Sequence, residues 1–503
     1  MHNPNEIIEI YRYIEEKFDL SKFNYRGVNF WPVIRKQISF SFYRPELNKN
    51  ESVFLREKTI SYYLKRPNTL FRSFLLKKKF IASLKPLIKK VQVCAYPESL
   101  FIDNIEGKAY SRHIDPYYEV IKEQYPDVNR VSFSKGSSKL QETYYPVEVH
   151  DMFAFFEYIN FESYLRTFDS DYIKEVKKMH TIFEEVNALV YEKFSIKPFY
   201  KNLVKSFNTV IEYSIYFDHL FERSTVKLIF IECYYDSLKM GISVAAKKHN
   251  IKVIEIQHGV IKDNSYIPYT NHNIDYEVLP NHIWCWSPSD VSLLLNENKE
   301  FNLLKPFLGG NMWLKKFINS EITFKNKKTE SFFLDIKTNY TKVILVTLQP
   351  VFILHDVIIE TIKAAPVDYM FLIRFHPYNT EKEIKDLKEI LSNQDNVEFD
   401  NSSSFNLYEL FKNSDFQITH SSATAIEALT FALPTIVCSS YGYDFYSEQI
   451  DCGVILYSED SKEIIKLLKE YNFTNNHNTK YYTMNTDVSL AKSNLSKAIG
   501  ISY

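Results

Sequence analysis

The chain has 503 residues, too many for one ordinary core and enough for two large domains with elaborations. Its 61 Lys and Arg against 62 Asp and Glu give a formal net charge of −1, which excludes the basic excess of a general nucleic-acid binder. The hydrophobic share of 45% is that of a folded soluble protein, and 37 Tyr and 39 Phe beside only 10 Gly fit an AT-rich coding sequence.

The opening stretch MHNPNEIIEIYRYIEEKFDL is acidic and amphipathic, unlike a secretory signal, and no apolar run is long enough to span a bilayer. Residues 1–85 carry apolar side chains at spacings of three and four, which predicts a helical N-terminal region. Within it, residues 56–90 hold eleven Lys or Arg against the single acid Glu57, with Leu, Phe and Ile interleaved. Two readings stand side by side. One is contact with an anionic membrane surface, where each basic residue contributes about 1 kcal/mol; the other is a solvated helix face. The five cysteines (Cys94, Cys233, Cys285, Cys438, Cys452) are scattered, without CxxC spacing, and read as reduced thiols. The expected location is the cytoplasm, in solution or peripheral on the inner face of the plasma membrane.

From residue 86 short β-branched or aromatic runs alternate with helical stretches. Strands are predicted over 91–96, 130–134, 226–235, 252–257 and 282–286, with a helix over 237–249 and a helical insertion or lid over 150–225. The polar, Lys- and Asn-rich stretch 315–340 is the best linker. A second alternating series follows, with strands over 342–348, 369–375, 397–400, 416–419, 435–438 and 454–457. The expected fold is α/β, with two Rossmann-like, doubly wound parallel sheets. Residues 86–320 form an acceptor-side domain, 341–475 a donor-binding domain, and 476–503 a helical tail placed by analogy against the first domain.

Chemistry concentrates at predicted strand ends, where open α/β sheets bind their ligands. In the first domain the strand LIFIECYYDS ends in Glu232 and Asp236, and the next ends in Gln257-His258-Gly259. Gly259 is expected to permit a tight turn that exposes His258. Asp236 or His258 suits a general base, and Asp236 suits a carboxylate nucleophile. Asp236 fits an N-cap of the following helix equally, His258 a turn histidine bonded to backbone, and Glu232 an ion pair. The Gly309-Gly310 pair reads as a plain turn, and Arg112, His113 and Asp115-Pro116 as an early loop.

In the second domain the strand YMFLIRF leads into Arg374-Phe375-His376-Pro377, and FQIT leads into Thr419-His420-Ser421-Ser422-Ala423-Thr424-Ala425-Ile426-Glu427. Ser421 and Ser422 sit where a helix begins, so their hydroxyls and free backbone N–H groups suit an anion. His376 suits a phosphate oxygen, and Glu427, placed two turns into the helix, suits a ribose diol. Arg374 suits the same anion, although alternation along the strand allows it to point away.

The segment from Thr419 to Glu427, followed by Ala432-Leu433-Pro434, resembles the donor-nucleotide site of GT-B glycosyltransferases. His376-Pro377 with Ser421-Ser422 is more narrowly similar to the HP and serine motifs of bacterial sialyltransferases. Kdo transferases and teichoic-acid glycerophosphotransferases carry similar features, and Gln257-His258-Gly259 is similar to a tripeptide of capsule transferases. The resemblance implies a donor site of Arg374, His376, Pro377, Ser421, Ser422, Thr424 and Glu427, and a reaction centre of Asp236, His258 and Glu232. It implies a CMP- or CDP-linked donor, with Kdo or another acidic sugar as the expected cargo, and a glycan or lipid-linked glycan as acceptor. No cofactor and no metal are implied. Asp169-Ser170-Asp171 matches DxD but lies between helical patterns and reads as a turn or cap; HExxH, P-loop, GxGxxG and GxSxG are absent from the sequence. A CDP-polyol glycerophosphotransferase, a non-hydrolysing nucleotide-sugar epimerase and a non-catalytic scaffold are the alternatives.

Overall fold

The structure, a computed structural model, describes residues 4–43, 91–95, 102–105, 108–111, 117–124, 129–134, 148–151, 159, 169–195, 203–262, 276–297, 304–322, 327–349, 356–376, 379–471 and 479–500. The basic stretch 56–90, Arg112, His113, Asp115, Pro116 and Pro377 lie outside them. Among the described residues no helix is long and apolar enough to cross a membrane.

In chain order the strands begin with an antiparallel hairpin, β1 (Asn24–Tyr25) and β2 (Val28–Asn29). Then come β3 (Val91–Ala95), a second hairpin of β4 (Ile102–Ile105) and β5 (Lys108–Ser111), β6 (Asn129–Ser134) and β7 (Glu148–Asp151). The first half closes with β8 (Leu228–Ile231), β9 (Lys252–Ile256), β10 (His282–Cys285) and β11 (Lys305–Leu308). The second half holds β12 (Lys342–Thr347), β13 (Tyr369–Arg374), β14 (Val397–Glu398), β15 (Phe416–Thr419), β16 (Thr435–Val437) and β17 (Leu456–Tyr457).

Two parallel sheets result, as the alternation of strand and helix predicts. The first has the order β11-β10-β9-β8-β3-β6-β7 and the second β14-β13-β12-β15-β16-β17. Each sheet starts at an inner strand, winds to one edge, then returns and winds to the other. The reversal falls between β3 and β8 in the first sheet and between β12 and β15 in the second. The strands at these points are buried on both faces, which explains their nearly continuous apolar runs LIFI and KVILVT.

Three stretches differ from the sequence expectation, each for a local reason. The strand predicted over 226–235 stops at Ile231, because Cys233 adopts a left-handed backbone with φ +57° and turns the chain. The predicted linker folds as helices Met312–Ile318 and Lys327–Asn339, whose Trp313, Leu314, Phe317, Phe333 and Ile336 are buried against the second sheet. Their apolar side chains recur at helical spacing within an otherwise polar stretch, so packing overrides composition. The helices over 150–225 are part of the first core: Ser170–Phe194 and Leu203–Glu222 share one apolar cluster with Pro4–Lys17 and Trp31–Tyr43.

Leu203–Glu222 lies along Ser237–Lys248 so closely that a Cβ on Gly241 would sit 2.4 Å from Tyr213 Cβ. The final helix, Val488–Ile499, returns to the first sheet, where Ala491 and Leu495 pack with Tyr117, Phe230, Trp284 and Phe307. Each fully buried side chain of this size contributes about 1.5–3 kcal/mol. The Gly309-Gly310 turn receives the tail: Gly309 lies on the Trp284 ring, and Asn311 N–H donates to Asn485 O at 2.8 Å.

Candidate functional site

Both sets of sequence candidates fall at the carboxyl ends of strands, beside the two points where the winding reverses. At such a point the helices leave to opposite faces of the sheet and a crevice opens between them.

In the second sheet this crevice lies beyond Thr347 of β12 and Thr419 of β15. Ser421 Oγ donates to Gln349 Oε1 across it at 2.8 Å, and His420 Nδ1 lies 2.9 Å from the same hydroxyl. Ser422 Oγ accepts from Thr424 N–H at 3.3 Å, and its carbonyl accepts from Tyr446 Oη at 2.6 Å. The helix they precede is short, Thr424–Thr430, and Glu427 falls in its first turn rather than two turns in. Glu427 Oε1 accepts from Tyr408 Oη at 2.9 Å, which fixes the carboxylate. His376 follows β13, where its backbone N–H donates to Asn379 Oδ1 at 2.8 Å. Burial holds its imidazole below the ordinary histidine value, so at neutral pH it is an uncharged ring carrying one N–H donor.

Two of the donor-side candidates are turned to the protein. Arg374 Nη1 donates to the carbonyls of Ser402 at 3.0 Å and Phe405 at 2.6 Å, tying β13 to the following helical turn. Thr424 Oγ1 lies 3.0 Å from Thr347 Oγ1 and accepts from Gln417 Nε2 at 2.8 Å. It thereby braces the helix start on β12 and β15. Beneath it Thr435 Oγ1 donates to Gln417 Oε1 at 3.0 Å, completing a buried polar layer under the crevice.

In the first sheet the turn after β8 carries Glu232, Cys233, Tyr234, Tyr235 and Asp236, of which Glu232, Cys233 and Tyr235 interact with His258, which follows β9. Asp236 caps helix Ser237–Lys248, accepting from Leu238 N–H at 2.9 Å. His258 is held at both ring nitrogens: Nδ1 lies 3.4 Å from Glu255 Oε1, and Nε2 lies 3.0 Å from Tyr235 Oη. The Glu255 carboxylate is fully buried, and its other oxygen accepts from Tyr234 N–H at 2.8 Å. Burial pulls the His258 pKa down. Electrostatic interaction with Cys233 and Tyr235 and hydrogen bonds to Cys233 and Glu255 outweigh it, leaving the ring well above the ordinary histidine value. Burial raises the Glu232 carboxyl, opposed by the charges of His258 and Lys239.

The remaining members of the tripeptide have structural duties. Gln257 Oε1 accepts from Trp286 N–H at 2.7 Å, and its Nε2 donates to Gly259 O at 3.0 Å. Gly259 is not in the left-handed region and a Cβ there would meet nothing, so the turn does not depend on a glycine as the sequence suggested. The end of this loop reaches the second half of the molecule, where Lys262 Nζ donates to Ser447 Oγ at 2.6 Å. Burial lifts the nearby Asp290 carboxyl to about 6, against hydrogen bonds from Ser287 and Gln257.

Sequence reasoning missed Gln349, Tyr408 and Tyr446 on the donor side, and Glu255 and Tyr235 around His258. A signal existed for Glu255: a carboxylate sits among Val253, Ile254 and Ile256 on a strand buried throughout those positions. Gln349 stands just past the first strand of its sheet, the position that a reversal of winding makes a ligand site. Asp169 accepts from Asp171 N–H at 2.8 Å and caps helix Ser170–Phe194. A cleft of about 660 Å³ lined by Lys342, Phe416 and Tyr471 opens elsewhere, at the amino ends of β12 and β15.

No family model matches the chain, and no curated protein matches it. Among solved structures it is similar to the UDP-GlcNAc 2-epimerase of Methanocaldococcus jannaschii in complex with UDP-GlcNAc and UDP. That likeness has 14% identity and a TM-score of 0.49, covering 82% of this chain and 100% of that one. It is similar to the UDP-GlcNAc 2-epimerase of Neisseria meningitidis bound to UDP-GlcNAc, at 15% identity and a TM-score of 0.46, over 82% and 100%. A third is the wall teichoic acid polymerase TagF soaked with CDPG, at 12% identity and a TM-score of 0.38, over 86% and 92%. None of these likenesses carries a functional assignment to this chain.

Proposed function

We propose that the chain is a glycosyltransferase of GT-B type. It moves a sugar, Kdo or another acidic sugar, from a CMP-linked donor onto a surface glycan or lipid-linked glycan. The observation that carries the reading is the Ser421–Gln349 hydrogen bond across the winding reversal of the second sheet, 2.8 Å long, with His376 on the neighbouring strand end. It gathers hydroxyl, amide and imidazole groups, without a fixed cationic side chain, where an anionic ligand meets a helix start.

As the sugar leaves, negative charge grows on the departing nucleotide phosphate. Ser421, Ser422, His376 and backbone N–H groups stabilise it, each such donor being worth about 2.7–4 kcal/mol in a water-poor site. Glu427, steadied by Tyr408 at 2.9 Å, takes a ribose hydroxyl. On the first sheet the group around His258, anchored by Glu255 and hydrogen-bonded to Tyr235, serves the acceptor hydroxyl as base.

Thermal shift of the purified protein against CMP, CDP, UDP, GDP and ADP, with and without magnesium, tests the reading. A ligand at a hundred times its dissociation constant adds about 2.7 kcal/mol of stability. Stabilisation by CMP or CDP alone, lost in His376→Ala and Ser422→Ala, supports it. A response to UDP or GDP instead sinks the cytidine donor, and silence toward every nucleotide sinks the transferase.

A further inference from the structure

The ring of His258 has no nitrogen left for a substrate. Nδ1 faces Glu255 Oε1 at 3.4 Å and Nε2 faces Tyr235 Oη at 3.0 Å. Asp236 is committed as the helix cap. Tyr235 and His258 are both partly exposed, and Tyr235 Oη is the oxygen set against His258 Nε2. Lys36 Nζ, from the N-terminal helix Trp31–Tyr43, stands 3.7 Å from the centre of the Tyr235 ring, where a cation favours electron density on the phenol.

Resting on the transferase reading, we propose that Tyr235 receives the proton of the acceptor hydroxyl, acting with His258 as one proton-accepting pair that Glu255 holds in place. In the reacting form, which prevails above the His258 midpoint, one proton lies between Tyr235 Oη and His258 Nε2. As the acceptor oxygen bonds to the sugar carbon, its O–H bond breaks and that proton joins Oη. The proton first shared between the pair then resides on Nε2. The bond from the sugar to the phosphate oxygen breaks, and its electron pair leaves on the nucleotide. The pair thus ends with two protons, and the fully buried Glu255 balances the imidazolium. Glu255 is a positioning residue: Tyr234 N–H at 2.8 Å fixes one oxygen, so the other is set against Nδ1. Among the described residues, the charged and titratable groups facing the pair include Glu232, Cys233, Glu255 and Lys36, with Lys239 acting on Glu232.

Tyr235→Phe removes only the oxygen and keeps the ring under Lys36. Three readouts are compared with the parent: thermal shift by CMP and CDP, CMP release from CDP-glycerol and from CMP-N-acetylneuraminate, and the NMR titration of the His258 ring C–H. The expected result is an unchanged nucleotide shift and a fall in kcat for CMP release of about 10²-fold or more. The His258 midpoint is expected to move down by about one pH unit or more, the loss of Tyr235 Oη removing the oxygen that accepts from the charged ring. A midpoint unmoved by the substitution overturns the pair whatever the rate, as does an unchanged rate in an enzyme that turns over. Where the parent neither binds cytidine nucleotides nor releases CMP, the cytidine-donor reading fails, and the titration still decides whether Tyr235 and His258 share their proton.

Discussion

Tyr446 Oη donates to the carbonyl of Ser422 at 2.6 Å, joining helix Ser440–Asp451 to the loop that bears both donor-side serines. The reach is made possible by a break in that helix: Tyr446 itself has φ −112° and ψ 17°, outside the helical range. The side chain is fully buried, so the bond is shielded from water. Tyr446→Phe removes one of two donors to that carbonyl, Ala425 N–H at 3.0 Å being the other, and is expected to cost about 0.5–1.5 kcal/mol in a urea melt. The stabilisation conferred by CMP should shrink with it. An unchanged melt and an unchanged nucleotide shift would show that the loop is positioned by other contacts.

Asp236 is where a functional and a structural duty compete. As the cap of Ser237–Lys248 it accepts from Leu238 N–H at 2.9 Å. Asp236→Ala should therefore lower stability by about 0.5–2 kcal/mol, and Asp236→Ser, another good cap, should recover most of it. Equal losses in both variants would mean that the carboxylate charge, not the cap, is what the fold uses.

Gly241 and Gly259 offer a paired test of packing. A Cβ at Gly241 would lie 2.4 Å from Tyr213 Cβ and 2.9 Å from Val210 O, while one at Gly259 would meet nothing within 4 Å. Gly241→Ala must push two packed helices apart and should cost about 1–3 kcal/mol by denaturant midpoint. Gly259→Ala should change stability by no more than about 0.5 kcal/mol. A tolerated Gly241→Ala would count against the close approach of Leu203–Glu222 to Ser237–Lys248.

Asp290 predicts a pH dependence of stability with a definite sign. Burial lifts its carboxyl to about 6 from the ordinary value of 3.8, so the folded protein holds this proton more tightly than the unfolded chain. Its contribution is therefore greatest at low pH and is lost as pH rises between about 4 and 6, by at most about 3 kcal/mol. Asp290→Asn should flatten that part of the stability profile, measured by urea melts from pH 4 to 7. The same slope in both proteins would show that Asp290 titrates normally.

Arg374 is expected to act on the fold before it acts on a ligand. Its bonds to the carbonyls of Ser402 and Phe405 are 3.0 and 2.6 Å long, and Arg374→Met removes both. The expected loss is about 1–3 kcal/mol in a chemical melt. Full stability in this variant would release the guanidinium for a role in the crevice.

The sequence by itself determined the two-sheet α/β architecture and which polar residues stand at its strand ends. Strand periodicity and burial are local properties, so KVILVT, YMFLIR and FQIT declared themselves, and Ser421, Ser422, His376 and His258 followed because they stand at strand ends. It misjudged 315–340, where buried Phe317 and Phe333 are outnumbered by Lys and Asn. Tertiary structure alone decided which atoms those residues meet. Tyr235 and His258 are 23 positions apart and Ser421 and Gln349 are 72 apart, and nothing in either local pattern specifies the distance between their side chains. It decided likewise that Arg374 and Thr424 turn to carbonyls and hydroxyls of the protein while Asp236 closes a helix. A polar side chain leaving a buried strand takes the nearest complementary group, and the identity of that group is fixed only when distant strands lie side by side.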